Sequence, residues 1–258
     1  KEIMAVSIDT VYQKVLALAN KEQRGYITPQ EFNLFADMAQ KEIFEQYFYD
    51  KNQWARQHGS EFGYSDMLSN LDEKIGMFED ITSSNNITLL NQYGDANLSK
   101  DLPDLYRLGQ VRVKYPANAR YVVAELVSAK EFRLIQQSPL TKQSVKRPVY
   151  IRYHKGYDRI KIYPNPTNDD GSAIRGGTTD NVSVDHVFKP SKPKWGYVMV
   201  YEKALYDADR STNFDLHPSE ESELVYKVLK YAGISLQKQD IMQAGVGMEQ
   251  AQAAQEKK

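Results

Sequence analysis

Asn20, Glu22 and Glu31 fall at positions 1, 3 and 12 of one twelve-residue stretch, the places from which a calcium loop draws oxygen ligands. Gly25 stands at position 6 and Ile27 at position 8, as such a loop requires. Position 5, however, is Arg24, a cation with hydrogen-bond donors only. Asn20 also brings no charge to position 1. The same residues have a structural reading. Thr28-Pro29-Gln30-Glu31 spells a capping box, with Thr28 as N-cap and proline at the first helical position, and Gly25 would end the helix before it. The expectation is a helix–helix corner with no metal.

The remaining catalytic inventory is thin. There is no cysteine, so thiol nucleophiles, thiolate metal sites and disulfides are excluded. The four histidines, His58, His154, His186 and His217, show no two-histidine zinc spacing, and Asp185-His186 reads as a turn beside a strand. Gly176-Gly177 lacks the Lys-Ser/Thr of a phosphate loop. Asp207-Ala-Asp209-Arg-Ser-Thr-Asn213 opens like a calcium loop but lacks the glycine and the closing glutamate, leaving a solvated acidic turn. Neither enzyme activity nor a cofactor is expected.

Charge is balanced globally, with 33 Lys+Arg against 34 Asp+Glu, but not locally. Residues 141–163 hold seven cations, among them Lys146, Arg147, Arg152, Arg159 and Lys161, against Asp158 alone. Residues 202–223 hold seven acids, including Asp207, Asp209, Glu220 and Glu221, against Lys203 and Arg210. Three readings stand side by side: two separately solvated faces, a basic patch meeting a neighbour's acidic patch head to tail in a ring, or a basic hairpin facing DNA phosphates. Tyr150, Tyr153, Tyr157 and Tyr163 of that hairpin suit base stacking or sheet packing.

The elements that must position these groups follow from periodicity. Residues 8–19 and a stripe of Phe32, Phe35, Ala36, Ala39, Ile43 and Tyr47 are helical, and a third helix runs from Ser65 to Phe78. The start is expected at Met4, giving a helical unit over 4–80. From Ile81 the pattern turns to strands, a β-rich domain over 81–205. Tyr121–Val127 reads as a buried strand, Ala129–Gln137 as a short helix, and Pro148–Tyr153 with Arg159–Tyr163 as a hairpin. Residues 164–181 read as a long exposed loop, and Gly196–Tyr201 as a last strand completing a mainly antiparallel sheet. A helix from about Leu216 to Gly233 opens the region 206–258. The tail beyond it is Gln- and Ala-rich, with Ile241, Met242 and Val246 spaced irregularly, and reads as an arm that orders against something else. The fold class expected is α+β: an N-terminal helical unit, a central mainly antiparallel β-sheet domain, and a C-terminal helix with an extended arm. With 41% hydrophobic residues, no apolar run near 18 and no secretory signal, a soluble protein made in the cytoplasm is expected. Eighteen tyrosines suit broad subunit contacts.

Three segments carry a resemblance. They are Val15–Asn33 with Ala39–Phe44, then Ser138–Lys142 with Lys146–Arg152, and Leu216–Glu221 with Leu229–Ile234. Together they resemble virion structural proteins of podovirus-like tailed bacteriophages, encoded among the head and neck genes. The resemblance implies a head-to-tail connector, a ring-forming homo-oligomer in the neck of the virion, synthesised in the host cytoplasm and joining portal and tail proteins. It further implies contact with packaged DNA as an option, no membrane, and a C-terminal arm reaching a neighbour or the portal. Another capsid- or tail-associated structural protein, or a calcium- or nucleic-acid-binding module, is the alternative.

Overall fold

The structure, a computed structural model, describes residues 5–20, 27–56, 62–81, 87, 89, 94–115, 120–154, 158–165, 182–201, 203–235 and 239–256. Along the chain the elements are α1 (Ile8–Asn20), α2 (Pro29–Arg56), α3 (Phe62–Gly76), β1 (Glu79–Asp80), β2 (Asp95–Asn97), α4 (Leu98–Asp101), β3 (Leu105–Val113), β4 (Val122–Leu126), α5 (Ala129–Gln137), β5 (Val149–His154), β6 (Asp158–Tyr163), β7 (Val182–Phe188), β8 (Tyr197–Val200), β9 (Lys203–Tyr206), α6 (Glu221–Ser235) and α7 (Gln239–Glu256). The class is α+β, with helices at both ends and a curled, mainly antiparallel seven-stranded sheet between them. No described helix is long and apolar enough to cross a membrane.

The chain forms two compact units, and they do not follow the three consecutive stretches 4–80, 81–205 and 206–258. One unit joins residues 1–77 to 190–258, and the other is 78–189. The helical unit draws on both ends because α6 packs on α1 and α2. Val11, Val15, Phe32, Ala36, Ala39 and Ile43 are buried from the N-terminal side, and Leu224, Val228 and Leu229 from α6. That is the amphipathic spacing expected for α1, α2 and α6. Gln40 is fully buried and satisfied: its Nε2 donates to the Ser191 carbonyl at 2.7 Å, and its Oε1 accepts from the Asp215 amide at 3.1 Å.

The sheet unit orders its strands β1-β7-β3-β4-β5-β6-β2, antiparallel except for the β4–β5 pair. A parallel pair needs a crossover, and α5 supplies it. Ser128 and Glu131 close a full capping box at its start. Alternation sends Val111, Val113, Ile160, Ile162, Val182 and Val184 into one apolar layer. Gly109 lies where a Cβ would come within 2.9 Å of the Asp185 carbonyl, at an irregularity in the β3–β7 register. Only glycine fits that approach without displacing β7.

Four expectations of the fold need correction. Tyr121–Val127 holds a strand, β4, but not a buried one: Val123 and Leu126 are 54 and 58% exposed and only Ala124 of the strand is buried. The stretch around Asp185-His186 is no turn: it lies within β7, paired to β3 on one side and β1 on the other. Asp185 breaks the apolar pattern of that strand because it receives the guanidinium of Arg112. The strand at 197–200 does not complete the large sheet; it pairs with β9 in a separate two-stranded ribbon. The tail is not extended, because residues 239–256 form α7, which folds back on α6. Of the loop at 164–181, residues 166–181 lie outside the described residues, as do the hairpin turn at 155–157 and the turn at 116–119.

Candidate assembly surfaces

The corner at the start of α2 is built by its cap. The Thr28 amide donates to Glu31 Oε2 at 3.0 Å, the Thr28 hydroxyl donates to the same oxygen at 2.7 Å, and the Glu31 amide donates back to Thr28 Oγ1 at 3.3 Å. These bonds from Thr28 hold the Glu31 carboxyl below the ordinary carboxylate range. The carboxylate that would close a calcium loop is thus turned onto its own helix. Glu22, Arg24 and Gly25 lie outside the described residues, as does the Asn20 side chain. Among the described residues no group of three or more His, Asp or Glu is placed to hold a metal ion.

The acidic region turns much of its charge inward. Asp207 accepts from the Asp209 amide at 3.1 Å and pairs with Arg210 at 3.3 Å, which makes the Asp207–Asn213 stretch a capped 3-10 turn (Ala208–Arg210). Glu221 binds Lys14 at 2.5 Å. Glu220 is no surface group at all: it is 2% exposed and holds Lys74 at 2.5 Å. Only Asp209 keeps an exposed carboxylate with no ion pair among the described residues.

The basic region divides. Arg152 makes a bidentate pair with Asp158 across the β5–β6 hairpin, through Nε at 3.0 Å and NH2 at 2.5 Å. Asp158 raises the Arg152 pKa, chiefly through those bonds. Lys161 is raised as well; burial works against the charge, but the Tyr163 hydroxyl and Asp95 outweigh it. Arg159 bonds Tyr153. Lys146 and Arg147, by contrast, are exposed and make no ion pair among the described residues.

The C-terminal helix is docked by charge. Lys227, 1% exposed on α6, donates to Glu42 of α2 at 3.0 Å and to Glu249 of α7 at 2.7 Å, with Glu223 at 3.4 Å. Lys230 joins both carboxylates at 3.5 and 3.3 Å, and the Tyr231 hydroxyl donates to Glu42. Burial alone would raise the Glu42 carboxyl, but the bonds from Tyr231 and Lys227 and the two ammonium charges hold it below the usual range. Burial and the bond to Glu42 push the Tyr231 hydroxyl up to about 12. Gly245 makes the crossing possible, since a Cβ there would sit 3.0 Å from the Lys230 amide nitrogen and 3.2 Å from the Tyr226 carbonyl. Val246 is half-buried; Ile241 and Met242 lie on α7, but their side chains are outside the described residues.

The surface that sequence reading missed is the β8–β9 ribbon. Val198, Met199, Val200, Tyr201, Leu205 and Tyr206 are between 39 and 95% exposed. The base is held firmly. Trp195 is buried, donates its indole N–H to Asp9 at 2.9 Å, and exchanges backbone bonds with the Asn33 side chain at 2.7 and 3.3 Å. Its ring stacks on Tyr197 and meets the tilted rings of Tyr12 and Tyr206, at centroid separations of 4.3 to 5.9 Å. Gly196 is obligatory, for a Cβ would meet the Arg210 carbonyl carbon at 2.6 Å. At the tip, Tyr201 adopts φ 46°, the left-handed region, and the residue is 95% exposed. A two-residue hairpin turn demands that conformation and normally takes Asn or Gly there, so tyrosine costs about 1 kcal/mol. Strain of this kind concentrates at contact sites. The run Tyr197-Val-Met-Val-Tyr201 was legible as a strand; its exposure was not.

The chain matches no family model and no curated protein.

Proposed function

We propose that this chain is a virion structural protein, a ring-forming head-to-tail connector subunit that links a portal to a tail. The observation that carries an assembly role is the β8–β9 ribbon. An isolated two-stranded hairpin is at best marginally stable in water, and contiguous exposed apolar residues mark interaction surfaces. Here such a hairpin is anchored by a buried tryptophan and ends in a strained, fully presented tyrosine. The three segments that resemble virion structural proteins of podovirus-like tailed phages direct that role to a particle. The Glu31 carboxylate, already engaged by Thr28, argues against a calcium module.

The test is the mass of the purified chain by light scattering, paired with Met199→Ser/Leu205→Ser. The wild type is expected to form a closed oligomer and the variant to remain a folded monomer. A wild-type chain that stays monomeric at about 100 μM, beyond the range of ordinary specific contacts, overturns the ring. A protein absent from purified phage particles by mass spectrometry overturns the virion assignment.

A further inference from the structure

We propose that the β4–β5 crossover, residues 128–147, is a sequence-independent contact for the phosphate backbone of a nucleic-acid duplex. This stretch carries Lys130, Arg133, Lys142, Lys146 and Arg147 against one acid, Glu131. All five cations are exposed, and none makes an ion pair among the described residues. The single acid accepts from the Ser128 amide at 2.9 Å as part of the cap and forms no ion pair with them among the described residues.

The backbone fixes these groups on one excursion from the sheet. Phe132 and Ile135 turn α5 inward against Val127, Val149 and Tyr163. Lys130, Arg133 and Gln137 fall at i, i+3 and i+7 and therefore share the opposite side of the helix. The following turn is tied back by the Lys142 amide donating to the Ser138 carbonyl at 3.0 Å and the Thr141 hydroxyl donating to the Ile135 carbonyl at 3.4 Å. A bridge between Ser144 and Arg147 then returns the chain to β5.

The neighbouring β5–β6 hairpin shows the alternative use of cations. There Arg152 is neutralised by Asp158, and Arg159 and Lys161 are bound to tyrosines. The crossover cations do nothing comparable for the fold, and their mutual repulsion opposes it, so their counter-charge lies outside the chain. Gln136, Gln137, Thr141 and Ser144 are exposed among them. Cations interleaved with neutral donors are the groups that bind phosphate and sugar oxygens. The inference is independent of the assembly reading, because a monomer presents the same surface.

The experiment is fluorescence anisotropy of the full chain against a duplex of arbitrary sequence, across about 50 to 200 mM salt. Five phosphate contacts predict that log K falls against log salt with a slope of about −4.5, alike for unrelated sequences. Lys146→Glu/Arg147→Glu is expected to weaken binding more than about tenfold and flatten the slope by about 2. Arg152→Gln, which breaks an internal pair, should bind as the wild type does. Because both charge-reversed residues are exposed, an unchanged circular dichroism spectrum is expected and separates lost binding from lost folding. Absence of salt-dependent binding overturns the proposal, as does full binding by the charge-reversed variant. Polyglutamate binding as tightly as the duplex at equal salt also overturns it, assigning the surface to an acidic protein.

Discussion

Two hairpins in this chain start from the same ingredients and meet different fates. β5–β6 alternates apolar residues with charges and is buried on one side: Val149, Tyr150, Ile160 and Ile162 contribute to the sheet unit's interior. β8–β9 is richer in apolar residues yet presents nearly all of them to solvent. The first has sheet neighbours on both sides, β4 and β2. The second has a tryptophan under its base and no third strand among the described residues. Apolar content thus does not decide burial; the presence of a partner layer does. An apolar hairpin without that layer leaves its side chains exposed, as the proposed assembly role requires.

The contrast can be broken at several points. Ile160→Asp places an unpaired carboxylate in the apolar layer. It is expected to cost more than about 4 kcal/mol and abolish the cooperative unfolding transition of the sheet unit, as followed by denaturant titration. Glu42→Ala strips a carboxylate from the buried Lys227 and should destabilise the helical unit by about 3 kcal/mol, with proteolysis releasing α7 first. Thr28→Ala removes a cap and should lower stability by about 1 kcal/mol in thermal unfolding. The smallest effect on stability belongs to the apolar ribbon. Met199→Ser is expected to change unfolding by less than about 0.5 kcal/mol while reducing self-association measured by light scattering. A large loss of stability from Met199→Ser would erase the distinction between the two hairpins.

Acid sharpens the same picture inside the helical unit. The Glu42 carboxyl is held below its ordinary value of 4.5, so its protonation is coupled to unfolding. A depressed folded value contributes stability above the unfolded value, and that contribution is lost as pH falls through the folded one. The helical unit should therefore lose its hold on α7 as pH drops below about 4.5, while Glu42→Gln shows a flatter profile there. Circular dichroism melts at stepped pH provide the measurement.

Much of the scaffold was legible because its signals are local. Periodicity placed α1, α2 and α6, alternation placed β5–β6, and Thr28-Pro-Gln-Glu31 announced its cap. Ser128-Ala-Lys-Glu131 carries the same signature and could have been read at the start of α5. Asp185-His186 read as a turn because the two interrupt the apolar run of β7, and the Arg112 guanidinium across the sheet makes the acid tolerable there. The candidate surface was less legible. Glu220 and Lys227 look like solvated charges in a helical sequence, yet both are buried because their counter-ions come from α3, α2 and α7.

The sequence alone determined the α+β class, the starts of α1, α2 and α5 and the segregation of positive from negative stretches, since these depend on neighbours a few residues apart. Tertiary structure decided which charges are spent internally, that 197–206 stands as its own ribbon, and that the tail returns to α6. Those outcomes depend on pairings between residues far apart in the chain, such as Trp195 with Asp9 and Lys227 with Glu42, which no local pattern encodes.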